Sequence, residues 1–230
     1  MEIAGCSLPE DRLYDLEHEV WWKTDQRGDT ALLGVLGTFA AFAGVFRMFQ
    51  FRPLEGPVGP GRSLATVESF RLTGAIRTPV EAEVLDRNGA LTDQPRLLND
   101  APYTDGWIAR LRPLRPGEPG ERLESAEAIA PRLEAQIRAR RVRCWPRTPD
   151  VELNEVGLEC STVLVKLNEE IARREVGDAL LLVTDDPTSP IEMVRWSDQT
   201  GQPVLAHRRE GELHQFLIRK IDSPVPRRRG

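Results

Sequence analysis

Lysine is nearly missing from this chain. Of its 31 basic residues, Lys23, Lys166 and Lys220 are the lysines and the other 28 are arginines, so a chemistry that needs a lysine amine has few addresses. Cysteine is sparse as well. Cys6, Cys144 and Cys160 are too few, and odd in number, for a disulfide framework, which makes a reducing cytoplasm the expected compartment. The opening residues, Met1 to Arg12, show no basic and apolar regions of a secretory leader, so none is expected. The uncharged stretch from Ala31 to Phe46 contains Gly34, Gly37, Thr38 and Gly44 and is shorter than the roughly 20 residues that span a bilayer. A net charge of −5 argues against a protein that grips phosphate backbones. Neither a membrane nor nucleic acid is therefore an expected partner. No glycine-rich phosphate loop or Ser-His-Asp spacing stands out.

What is present suits a globular α+β protein of two domains: 40% apolar and 29% charged residues in a chain of 230. Residues 8 to about 113 read as β-rich. Short apolar stretches (Ala31–Leu36, Val45–Phe51, Leu64–Val67, Glu81–Leu85, Trp107–Leu111) alternate with Gly, Pro, Asn and Asp, a spacing that suits a sandwich or barrel. A short helical turn is expected over Thr38 to Ala43. After the loop Arg115 to Gly120, Ile129, Leu133 and Ile137 recur every fourth residue and predict an amphipathic helix, with Pro131 in its first turn or at a break. Residues 1–145 then form the first domain and 146–150 a linker. The second domain, 151–221, reads βαβαββ: strand Val151–Asn154, helix Ser161–Glu175, strand Ala179–Thr184, helix Ser189–Ser197 and a hairpin turning at Glu210-Gly211. That order predicts a two-layer α/β sandwich, followed by a flexible tail over 222–230.

The β-rich part resembles the H protein of the glycine cleavage system and the wider lipoyl/biotinyl family. Leu8 to Trp21 matches the family's opening strand, Ala65 to Val80 its lipoyl hairpin, and Leu98-Asn-Asp-Ala-Pro-Tyr-Thr-Asp-Gly-Trp107 its closing motif. The resemblance implies a barrel-sandwich hybrid fold. In the family's Glu-Ser-x-Lys pattern a lysine carries lipoic acid, whereas this sequence reads Glu68-Ser-Phe-Arg71. A guanidinium keeps the charge but is a poor nucleophile, so no lipoate and no other cofactor is expected. Two readings of the position stand: a degenerate domain kept for docking or packing, or an Arg71 that binds an anionic ligand or a partner's carboxylate.

Val151 to Lys220 resembles the TusA-type sulfurtransferases, through Gly157-Leu-Glu-Cys160, Val176-Gly-Asp178, Thr184-Asp-Asp-Pro187 and Phe216-Leu-Ile-Arg-Lys220. The resemblance makes Cys160 the carrier of a persulfide. The residues support this separately, because a cysteine where a loop enters a helix meets unpaired amides and a positive dipole end. Such a site is expected to lower the thiol pKa. The family's Cys-Pro-x-Pro opening is absent. Ser161, Thr162 and Val163 follow instead, and Ser161 or Thr162 is a candidate local cap.

Secondary candidates are Cys144, read either as a structural thiol beside Trp145 or as a resolving partner for Cys160, and Ser161. Cys6 is expected in a mobile terminus. A two-residue turn at Glu210-Gly211 would set His207 directly opposite His214, which is too few ligands for zinc, and no metal is expected. His18 reads as structural, and Asp185-Asp186 before Pro187 as a turn that ends a strand. The leading reading is a cytoplasmic sulfur carrier, rather than a turnover enzyme. It takes sulfur from a cysteine desulfurase or rhodanese-like donor and passes it to an acceptor enzyme, with the first domain as docking module. The alternative is a non-catalytic scaffold or regulator built from two degenerate carrier folds.

Overall fold

The computed structural model describes residues 1–115 and 122–222. The loop expected over Arg115 to Gly120 and the tail expected over 222–230 lie almost wholly outside the described residues. The chain divides into two compact units, Met1–Cys144 and Trp145–Gly230.

The first unit opens with a small hairpin, β1 (Glu2–Ile3) and β2 (Cys6–Ser7). There follow β3 (Leu13–Asp15), β4 (Val20–Thr24), β5 (Ala31–Val35), helix α1 (Gly37–Ala43), β6 (Phe46–Phe51), β7 (Ser63–Ser69), β8 (Thr73–Arg77) and β9 (Ala82–Arg87). Short helices α2 (Ala90–Asp93) and α3 (Leu97–Asp100), strand β10 (Ala109–Pro113) and helix α4 (Ala126–Ala139) complete it. Five strands pair antiparallel in the order β3-β4-β5-β10-β9, and three in the order β6-β7-β8. Alternate residues such as Leu33, Val35, Phe49, Leu64, Val67 and Ile76 turn into one shared core. The result is a sandwich of open sheets rather than the closed barrel that the spacing also allowed. Pro79 between β8 and β9, and Pro53, Pro57 and Pro60 after β6, lack the amide protons a continuous ladder needs. A lone bridge between Val58 and Ala82 stands where further pairing would run.

A second core lies beneath α4, whose Ala126, Ile129, Leu133 and Ile137 pack with Ile3, Cys6, Leu8, Tyr14 and Trp21. Ser125 caps the helix by accepting the Ala128 amide. Pro131 sits well inside α4 instead of in its first turn. Its missing amide forfeits one bond of the helix, but the four buried side chains on either side of it hold the helix together. Cys6 and Cys144 form a disulfide across 138 residues of sequence. That corrects three expectations. Cys6 is buried rather than in a mobile terminus, Cys144 is not a free thiol, and the low cysteine count did not exclude a disulfide.

The second unit contains β11 (Val151–Glu155), α5 (Cys160–Ala172), β12 (Ala179–Thr184), α6 (Ser189–Thr200), β13 (Val204–Glu210) and β14 (Leu213–Arg219). Its sheet runs β11-β12-β14-β13, with β11 parallel to β12 and the other pairs antiparallel. Val163, Leu167 and Ile171 of α5 and Met193 and Trp196 of α6 pack on Leu180, Leu182, Phe216 and Ile218 of the sheet. The helices form one layer and the strands the other, as βαβαββ predicts. The hairpin loop is Gly211-Glu212, one residue later than expected, because Gly211 takes the left-handed φ of 62° that the tight turn demands.

Candidate functional site

The βαβ unit β11–α5–β12 sets the geometry around Cys160. Parallel strands end at the same edge, so the loop after β11 and the loop after β12 become neighbours. Cys160 begins α5, half-buried, and is the one free cysteine among the described residues. Gly157 (φ 80°) turns the chain into the helix. Glu159 occupies the cap position with extended dihedrals and no side-chain capping bond, so neither Ser161 nor Thr162 takes the capping role. The Thr162 and Val163 amides bond the Glu159 carbonyl at 3.0 and 3.1 Å.

The anion at this helix start comes from β12's end. Asp186 Oδ2 accepts the Cys160 amide at 2.7 Å, while its Oδ1 accepts the Thr188 amide at 2.7 Å and the Thr188 hydroxyl at 2.6 Å. Asp185 Oδ1 likewise accepts the Gly157 amide at 2.7 Å. These bonds, with the charge of His214 nearby, hold the Asp186 carboxyl below the usual carboxylate range. The consequence for the sulfur reverses the expectation. Burial pushes the Cys160 thiol up, and the charges of Asp186 and Glu192 push it further. The helix end was expected to acidify the cysteine, but a carboxylate already sits on its first amide.

Asp186 and Thr188 are the residues that reading the sequence missed. The signal was available: two acids directly follow a fully buried strand whose partner leads into the Cys160 helix. A carboxylate at that edge is drawn to a helix start.

On β13 and β14, Nε2 of His207 lies 3.0 Å from Nδ1 of His214, and the His207 ring stacks on Phe216 with centroids 4.4 Å apart. The one-residue turn shift places His207 opposite Phe216 and His214 opposite Arg209, so the histidines meet diagonally. Pro190, Met193, Val194, Val204, His207 and Phe216 line part of a cavity of about 210 Å³ beside this stack.

Arg71 lies in the first unit, exposed in the loop between β7 and β8. Ser69 shapes that loop, its hydroxyl accepting the Arg71 and Leu72 amides at 3.1 Å each and donating to the Ala43 carbonyl at 2.8 Å. The Arg71 stem lies along Gly44, and the tip also presents Phe70, 79% exposed, with the Arg47 guanidinium 3.7 Å from its ring centre. A lipoyl amide needs a primary amine at this tip, and the guanidinium present does not fit one. Cys144, tied to Cys6, is no resolving partner for Cys160 in this state. His18 bonds Asp15 at 2.6 Å. Among the described residues, no helix is long and apolar enough to cross a membrane.

The glycine cleavage H-protein family model matches residues 12–136, and the model of sulfurtransferase TusA matches residues 151–220. The chain belongs to the glycine cleavage H-protein family and carries a carboxy-terminal TusA domain. Glycine cleavage system H protein 2 of Aquifex aeolicus is 34% identical over 143 residues, covering 62% of this chain and 88% of that protein. Glycine cleavage system H protein 5 of the same organism is 33% identical over 147 residues, covering 62% of this chain and 98% of its own. A glycine cleavage system H protein of Thermus thermophilus is 34% identical over 129 residues, covering 56% of this chain and 98% of that protein. A crystal structure of the H protein from Mycobacterium marinum aligns with a TM-score of 0.48 at 22% identity, over 55% of this chain and 98% of that one.

Proposed function

We propose that this chain carries sulfane sulfur as a persulfide on Cys160, with an unlipoylated H-protein-like unit as the docking module. The observation that carries this reading is a free, half-buried cysteine at the first turn of α5 in a TusA domain. In the loading step the Cys160 thiolate attacks the outer sulfur of a donor persulfide, of the cysteine desulfurase or rhodanese type. A new S–S bond forms, the donor's S–S bond breaks, and the donor leaves as a thiolate that takes up the proton Cys160 gave up. The reverse exchange delivers the sulfur to an acceptor enzyme, with no net oxidation. The proposed compartment is the cytoplasm, a choice against which the Cys6–Cys144 disulfide stands. Arg71, exposed beside Phe70, supports docking through a carboxylate on the partner rather than an acyl group.

Mass spectrometry after incubation with a cysteine desulfurase and cysteine tests the reading. The chain gains the mass of sulfur on the peptide containing Cys160, and Cys160→Ala does not. An equal gain by Cys160→Ala removes Cys160 as the carrier. One observation favours a second reading, a non-catalytic scaffold: the carboxylate of Asp186 on the Cys160 amide. A scaffold forms a stable complex with an enzyme whose activity survives Cys160→Ala.

A further inference from the structure

The two acids that end β12 reach the loop carrying Cys160 by separate bonds. Asp185 holds Gly157 and Asp186 holds Cys160, each through a backbone amide at 2.7 Å. Asp186 is itself fastened by both the amide and the hydroxyl of Thr188. A helix start stabilises negative charge through its first amides and its dipole. A sulfur anion formed at Cys160 therefore meets a competitor already seated there. The groups facing the sulfur come from several elements. Asp186 and Thr188 follow β12, Glu192 lies on α6, and His214 on β14 acts on Asp186, with Arg209 of β13 acting on His214 in turn. Thr188 gives its one hydroxyl proton to Asp186 and so secures the carboxylate in that place.

We propose that Asp186 is a positioning residue for Cys160: its carboxylate fixes the cysteine loop, takes the place a sulfur anion would use, and so sets how readily the sulfur reacts. The inference deepens the carrier reading, since it concerns the same atom, but it does not need a sulfur donor to be tested.

The test is the rate of iodoacetamide alkylation at the Cys160 peptide as a function of pH, in the full-length protein. Asp186→Asn keeps an oxygen for the Cys160 amide and removes the charge. Its rate midpoint falls below that of the parent. For each pH unit of fall the thiolate fraction at neutral pH rises about tenfold and its nucleophilicity drops about threefold, a net gain of about threefold. Asp185→Asn, one residue along and bonded to Gly157 instead, leaves it near the parent's. A merely structural role would not separate these two variants, since each acid holds one backbone amide of the same loop. An unchanged or raised midpoint in Asp186→Asn overturns the proposal, as does an equal shift in Asp185→Asn. Where Asp186→Asn does not fold, Asp186→Ser, which also removes the charge, decides, and a midpoint that stays or rises sinks the idea. Alkylation uses no donor. A protein that shows these shifts but never loads sulfur refutes the carrier reading alone.

Discussion

His207 and His214 face each other through Nε2 and Nδ1 at 3.0 Å, so one ring donates and the other accepts. A single proton fits between them, and protonating both rings breaks the bond and sets two cations together.

That arrangement makes the second unit sensitive to acid. Burial holds both imidazoles below their ordinary value near 6.5; His214 adds to this at His207, and Arg209 adds to it at His214, where Asp186 pulls the other way. The unfolded chain therefore takes up protons at these sites at a higher pH than the folded chain. The stabilisation is full above the ordinary imidazole value and is lost as pH falls through the lowered folded values. Thermal melts between about pH 5 and 8 should show this acid slope, and it should flatten in His207→Gln and in His214→Gln. A slope equally steep in both variants would place its source elsewhere.

The bond between Cys6 and Cys144 should support the first unit measurably. Closing so long a stretch of chain restricts the unfolded ensemble, and native disulfides typically contribute about 2–4 kcal/mol. Dithiothreitol should lower the denaturant midpoint of the parent and leave Cys6→Ser unchanged, with the two proteins coinciding once reduced.

Arg71 stands where a primary amine would be needed, at a hairpin tip where the Ser69 hydroxyl accepts the Arg71 and Leu72 amides. Arg71→Lys should accept lipoate from a lipoate-protein ligase, read as added mass on the peptide of residues 63–77, while the parent stays unmodified. An inert lysine variant beside a modified control carrier protein would show that the tip has lost more than its amine.

Asn99 ties the region behind that tip together. Its Oδ1 accepts the Phe46 amide at 2.9 Å, and its Nδ2 donates to the carbonyls of Ala40 at 3.2 Å and Gly44 at 2.9 Å. Asn99→Ala leaves a backbone donor and two acceptors without this partner, and should lower unfolding stability by about 1–3 kcal/mol, measured by urea titration.

Local pattern made much of the second unit legible. Ala179–Thr184 was read with its observed ends, because six consecutive buried residues bounded by Asp178 and Asp185 have few other solutions. The helices followed from their apolar spacing. The hairpin slipped by one residue, since either Glu210-Gly211 or Gly211-Glu212 can place the glycine in a tight turn, and only the pairing across the sheet chooses. Contacts distant in sequence stayed hidden: Cys6 with Cys144, and Asp186 with the Cys160 amide. The sulfur illustrates the difference. Its place at a helix start could be read from neighbouring residues, but its acidity depends on a carboxylate 26 residues away.

The Cys6–Cys144 bond gives the first unit the topology of a closed ring. A protease that clips any peptide bond between those two residues opens the ring without separating the pieces. Nicked and intact protein would then run as one species until a reductant is added.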